Sequence, residues 1–246
     1  MLNPDTRLAI CCYQGDAPLV MGTLDLHKRH GCPITILSPE DSPVLLPGID
    51  CRAGSPVLLP GIDCRAGGKA GHTGAHTLER QRRHLEILVD ETPENHFMIH
   101  DSDSICLDAK FPDYLYAEPD MVWSNQVNDD IPQHQATFPA GWPHVAFQPP
   151  YFLSRKTIKA MLAVADQVVP SLDMMPFIDY YMLQLTMIAG LPWRRFASCV
   201  CCEPGRAKRL VRSDNINILH GIKSPRDMHS LVNERISVLS GKGGKA

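Results

Sequence analysis

The chain has 246 residues, 44% of them hydrophobic, with a formal net charge of −3 and a pI near 6.4. That suits one large α/β domain, or one domain with a small appendage, and argues against an overall basic surface for nucleic acid, leaving only a local basic groove open. No stretch is apolar and long enough to span a bilayer, the first residues lack the regions of a signal peptide, and the nine cysteines read as reduced thiols, so a cytoplasmic protein is expected.

The first apolar run, Leu8 to Tyr13, predicts a strand, with Gln14-Gly15-Asp16 as its turn. Leu19 to His30 predicts a helix with Leu19, Val20, Thr23, Leu24 and His27 along one side, stopped by Gly31. Pro33 to Leu37 predicts a second strand. Strand, helix, strand at this spacing is a βαβ unit with a parallel pair.

Residues 42–54 read SPVLLPGIDCRAG, and residues 55–67 repeat them letter for letter. Two copies of a 13-residue unit make no solenoid, and identity points to a recent tandem duplication. Ser-Pro and Pro-Gly mark each copy as mostly loop with a short apolar segment. One copy is expected to hold the native role and the other to bulge at the surface. Gly67 to Gly74 is glycine-rich and basic, a linker or a phosphate-holding loop beside the helix predicted over Thr77 to Val89.

His96-Phe97-Met98-Ile99-His100 predicts a buried strand that ends in Asp101-Ser102-Asp103. Ligands bind at the carboxyl ends of strands in an open α/β sheet. Two residues apart on extended chain, the aspartates face one way and can hold one hard divalent cation. The plainer reading is an Asp-Ser-Asp turn. Met121 to Ser124 predicts another strand, and Asn128 to Trp142 a long loop of the sort that covers a site. Ser154 is the expected N-cap of a helix reaching Val168. Pro176 to Ala189 predicts a further helix with Asp179 in its first turn, and Gly190 stops it. Cys199 to Cys202 reads as a strand end. Ile216 to Gly221 reads as a late strand ending in His220. Ser224 and Pro225 open a last helix that buries Met228, Leu231, Val232 and Ile236. Residues 241–246 read as a loose tail.

These pieces in this order resemble the GT-A nucleotide-sugar glycosyltransferases. The apolar strand ending in Asp101-Ser102-Asp103 looks like that family's Asp-x-Asp metal motif. His220-Gly221-Ile222-Lys223-Ser224-Pro225 is similar to the late motif of glycogenin-like members, although a serine separates Lys223 from Pro225 and no tryptophan follows. The resemblance implies one Rossmann-type domain over residues 1–240, with a mostly parallel central sheet and a smaller mixed sheet. Residues 1–125 would form the nucleotide-sugar half and 126–240 the acceptor half.

It further implies Asp101, Asp103 and His220 as ligands of Mn²⁺ or Mg²⁺, which suits their mixed oxygen and nitrogen donors. Lys223 would reach the diphosphate, with Ser102 in the same loop. Asp179 is the candidate base toward a hydroxyl acceptor if the enzyme inverts, and an orienting group if it retains. Tyr13, Asp41, Lys69, Arg80 and Arg83 are candidate contacts to a nucleoside diphosphate sugar, expected to carry uridine. Trp142, Gln148 and Tyr151 flank the expected acceptor side. Glycans, lipid carriers, proteins and modified DNA bases all stay open as acceptors, the last only if Lys156, Lys159, Arg194, Arg195, Arg206, Lys208 and Arg209 share a face. A nucleotidyltransferase also pairs aspartates with a metal, but favours a glycine-rich signature after the first strand, which Cys12 to Asp16 lacks. A non-catalytic nucleotide-binding protein of the same fold is the third reading.

Overall fold

The computed structural model describes residues 5–12, 14–39, 62–66, 74–108, 110–128, 141–143, 145–168, 178–201 and 204–242. The strands are β1 (Thr6–Cys11), β2 (Ile34–Ser38), β3 (Ile62–Ala66), β4 (His96–Asp101), β5 (Ile105–Cys106), β6 (Val122–Asn128), β7 (Val145–Ser154), β8 (Trp193–Arg195), β9 (Cys199–Cys201) and β10 (Ile218–His220). The helices are α1 (Ala17–Arg29), α2 (Gly74–Asp90), α3 (Tyr114–Ala117), α4 (Arg155–Leu162), α5 (Ile178–Ile188), α6 (Pro204–Leu210) and α7 (Pro225–Lys242).

One sheet runs β3-β2-β1-β4-β7-β6-β8 and a smaller one runs β5-β10-β9. In the large sheet β3, β2, β1 and β4 are parallel, while β7 runs antiparallel to both β4 and β6. The small sheet is mixed, β10 being antiparallel to β5 and parallel to β9. The architecture is the expected one: an α/β domain with a mostly parallel central sheet and a lesser mixed sheet.

Burial explains why β1 and β2 read as continuous apolar runs. Every residue of both strands is buried, as befits parallel strands covered on two faces. Alternate residues feed opposite cores. Ala9, Leu37, Phe97 and Ile99 pack with Leu85, Leu88, Ile158, Met161 and Tyr181 from α2, α4 and α5. Leu8, Ile10, Ile34, Ile36 and Met98 pack with Val20 and Leu24 of α1 and with Phe196 and Ile218. Each large apolar side chain fully buried contributes roughly 1.5–3 kcal/mol. A third cluster seats α7 on α1 through Leu19, Leu26, Met228, Leu231 and Val232. The two helices meet at Gly22, where an added Cβ would make an ordinary contact 3.5 Å from Met228 Cγ.

Several expectations need correction. β7 occupies a stretch that reads as irregular because Pro149 and Pro150 cannot donate to a ladder; the β6–β7 register slips at the prolines themselves, Ser124 pairing with Tyr151 and Asn125 with Gln148, so that both prolines are passed over. The helix after Ser154 ends at Leu162, and a single 3-10 turn covers Ala165–Gln167. α6 carries exposed Arg206, Lys208 and Arg209 and has too few apolar positions to announce itself. α7 extends to Lys242, into the predicted tail. Within the repeat, Ile62–Ala66 of the second copy is β3, the edge strand among the described residues. No helix among the described residues is long and apolar enough to cross a membrane.

Ser154 caps α4 as its residue type predicts, its Oγ accepting from Thr157 N at 3.0 Å. Ser154→Ala is expected to cost about 1 kcal/mol, read as a lower urea midpoint, with Ser154→Thr retaining most of it. An unchanged midpoint for the alanine variant would remove the cap from the account.

Candidate functional site

The connections leaving β1 set the site. From β1 the chain passes to β2 on one side, while β4 lies on the other. The crevice beyond the carboxyl ends of β1 and β4 is therefore a topological switch point, where open α/β sheets bind ligands. Asp101 ends β4 in register with Cys11. The strand stops there: Ser104 N donates to Asp101 O at 3.1 Å and closes a turn. Asp103 thus sits in a turn, and the two carboxylates do not share one face of an extended strand.

That turn carries the chain straight into β5, which pairs antiparallel with β10, Leu219 opposite Ile105. Continuing this register places His220 beside Ser104 and Gly221 beside Asp103. Ser104 Oγ accordingly lies 2.8 Å from His220 Nδ1, and Ile222 N donates to Asp103 O at 2.9 Å. Gly221 has φ +92°, a conformation that side chains other than glycine's strain to adopt, and it turns the chain so that Lys223 follows. Two segments more than 110 residues apart are thereby joined.

The contacts centre on Asp103, which is 4% exposed. Its Oδ2 accepts from Lys223 Nζ. Its Oδ1 lies 3.2 Å from His220 Nδ1 but has no well-aligned donor. Burial opposes the charge on Asp103, yet the His220 and Lys223 partners outweigh it and hold the carboxyl at about 2. The same carboxylate overcomes burial at His220 and at Lys223, raising both. Asp101 goes the other way: burial first, and the charge of Asp103 second, push it up to about 6. Asp16 belongs here too. Its Oδ2 accepts from Ser102 Oγ at 2.9 Å, and its charge acts on Asp101 and Lys223.

The structure therefore gathers Asp103, His220 and Lys223, with Asp101, Ser102 and Asp16 around them. Among the described residues no three His, Cys, Asp or Glu side chains are already grouped as a metal site. Even so, the donor set fits a hard divalent cation: a buried carboxylate oxygen without a donor, an adjacent imidazole and a second carboxylate. Lys223 presently supplies the positive charge that Asp103 needs. Its side chain is 82% exposed, so it could pass into water once another cation compensates the buried Asp103 carboxylate.

Other expected residues divide. Arg80 is buried near Cys11, close enough for its charge to act on that thiol. Arg83 instead pairs with Glu91 at 3.0 Å and Glu86 at 3.5 Å, an ionic helix surface. Tyr151 is 1% exposed and donates its hydroxyl to Phe147 O, so it belongs to the core and not to an acceptor surface. Gln148 is half-buried, and Trp142 packs against the core of α2, α4 and α5. Lys156 pairs with Asp120 and Arg194 with Glu118, which breaks up the basic set. Asp179 lies in the first turn of α5, with its side chain outside the described residues; Tyr13, Asp41 and Lys69 lie outside them altogether. Asp16 and Ser104 are the members that sequence reading missed. Asp16 reads as a turn residue after a glycine, and Ser104 gains meaning only once β5 and β10 are paired.

No protein family and no curated protein matches the chain. Among solved structures it is similar to the crystal structure of a glycosyltransferase involved in the glycosylation of the major capsid of PBCV-1. The TM-score is 0.50 at 10% identity, over 94% of this chain and 100% of that one. At that identity the likeness establishes the fold.

Proposed function

We propose that this protein is a metal-dependent glycosyltransferase, moving a sugar from a nucleoside diphosphate sugar, with uridine the expected nucleoside, to a hydroxyl acceptor. The observation that carries the reading is the meeting of Asp103, His220 and Lys223 beside Asp101 at the switch point of a sheet with a glycosyltransferase neighbour. Charge balance supports the metal. Asp16, Asp101 and Asp103 face Lys223, so a diphosphate entering unaccompanied would meet net negative charge.

Asp103, Asp101 and His220 would hold Mn²⁺ or Mg²⁺, which supplies Lewis-acid neutralisation of the departing diphosphate. His220 presents Nδ1 to Ser104 Oγ at 2.8 Å and to Asp103 Oδ1 at 3.2 Å, so its imidazole is held beside the carboxylate that would share the cation. Lys223 exchanges the Asp103 carboxylate for phosphate oxygens. Ser102, tied to Asp16, fixes the loop between the aspartates. The acceptor oxygen bonds to the anomeric carbon as the sugar–phosphate bond breaks. In an inverting reaction Asp179 takes the acceptor proton; in a retaining one it orients the acceptor.

The test is a panel of nucleotide sugars with Mn²⁺, reading nucleoside diphosphate release and thermal shift. Release that stops with chelator is the expected result. Neither release nor a shift across the panel would overturn the reading. Pyrophosphate release from a nucleoside triphosphate and a sugar phosphate would reassign the protein as a nucleotidyltransferase.

A further inference from the structure

The second copy of the tandem repeat supplies β3, which pairs parallel with β2 from Ile34↔Ile62 to Ser38↔Ala66. The same five residues, Ile-Asp-Cys-Arg-Ala, stand at 49–53 in the first copy. Among the described residues β3 is the edge strand, and its ladder bonds are made to β2. Whatever backbone pairing and side-chain contacts residues 62–66 make, residues 49–53 would make identically in the same place, because side chain and sequence direction are the same at every position.

We infer that the outer edge of β2 is a strand-docking site that this chain can fill from two places: residues 62–66, as observed, and the identical residues 49–53 in their stead. The exchange moves 13 residues from the connection before the strand to the connection after it. The first connection shortens from residues 39–61 to 39–48, and the second lengthens from 67–73 to 54–73. Closure entropy grows only with the logarithm of loop length, so the two changes offset to within about two-fold. What separates the registers is the crossover: 39–48 is short for a parallel connection and 39–61 is ample. The longer crossover therefore favours the second copy at the edge. This inference is independent of any sugar transfer.

Adjacent prolines test it, because alternate amides of an edge strand point at its neighbour, and two in a row must remove a ladder bond. Three variants are compared: Asp63→Pro with Cys64→Pro, Asp50→Pro with Cys51→Pro, and all four together. The first-copy variant is expected to melt with the parent. The second-copy variant is expected to remain folded, a few degrees below it. The fourfold variant is expected to fall at least twice as far. Hydrogen exchange by mass spectrometry adds a direct readout, since the substitutions give the two copies different peptide masses. In the second-copy variant the amides of residues 49–53 should gain protection.

A second-copy variant as damaged as the fourfold one, or one in which residues 49–53 stay unprotected, overturns the inference. Removing one unit gives the same protein whichever copy is cut, and that protein must reach β2 through the short crossover. It is expected to fold. A deletion variant that does not fold overturns the inference as well.

Discussion

Asp103→Ala is expected to lower metal-dependent nucleoside diphosphate release by on the order of 10²–10³-fold, the usual loss when one well-placed electrostatic group leaves a closed site. The fold should survive. Lys223, 82% exposed, passes into water, and His220 keeps Ser104 Oγ at 2.8 Å, so removing the carboxylate strands no buried charge. The variant's melting temperature should stay close to the parent's. Asp103→Asn separates charge from shape: it preserves the side-chain volume beside His220 but gives the cation no anion. Its loss should approach that of alanine. Full turnover in both variants would take Asp103 out of the chemistry.

The protein is expected to lose stability steeply between pH 6 and 5. Three histidines form a buried group behind β4: His27 and His100 ring centroids are 5.4 Å apart, and His27 and His30 are 6.2 Å apart. His27 Nε2 accepts from Cys106 N at 3.1 Å and His30 Nε2 contacts Cys106 O at 2.8 Å, contacts suited to neutral rings. Burial is the first cause of lowering at all three, and His100 reaches about 4.

A histidine whose folded pKa is depressed leaves the unfolded chain binding more protons below about 6.5, so stability falls as pH falls. Asp101 opposes this. Its folded pKa of about 6 lets the folded state take up a proton that the unfolded chain binds only near 3.8. His220 is raised, so its contribution is complete below the unfolded value and adds no slope in this window. Asp103 acts only below 3.8. The three histidines, with His96 also lowered chiefly by its burial, outweigh the one carboxyl, so the net effect is a loss of stability as pH falls below about 6.5. Urea midpoints at pH 7, 6 and 5 check it. A midpoint that stays level to pH 5 contradicts the neutral-histidine cluster, and His27→Leu should flatten the profile where it is steep.

Periodicity made much of the nucleotide-side architecture legible. β1 and β2 are buried on both faces, so their residues are predominantly apolar, and Gly31 at φ +69° and Gly190 at φ +63° mark helix ends as their type suggests. β7 was hidden by Pro149-Pro150, and β3 by a repeat whose two copies cannot be told apart by composition. The pairing of Asp103 with His220 was visible as two motifs at strand ends. The turn that displaces Asp103 from the strand, the Lys223 ion pair and the role of Asp16 arise from tertiary register, which no local pattern encodes. Tyr151 shows the reverse: an aromatic after a polar loop reads as flanking the acceptor side, yet its ring and hydroxyl are buried in the core.

In the proposed enzyme Asp103, His220 and Lys223 serve one cation and one diphosphate. Isothermal titration of UDP in the presence and absence of Mn²⁺, on the parent chain and His220→Ala, measures this directly. The prediction is that Mn²⁺ strengthens UDP binding to the parent and that His220→Ala removes the Mn²⁺-dependent part while remaining folded, a loss of roughly 10-fold or more. Equal UDP affinity with and without Mn²⁺ in the parent, or an undiminished Mn²⁺ effect in His220→Ala, would contradict it.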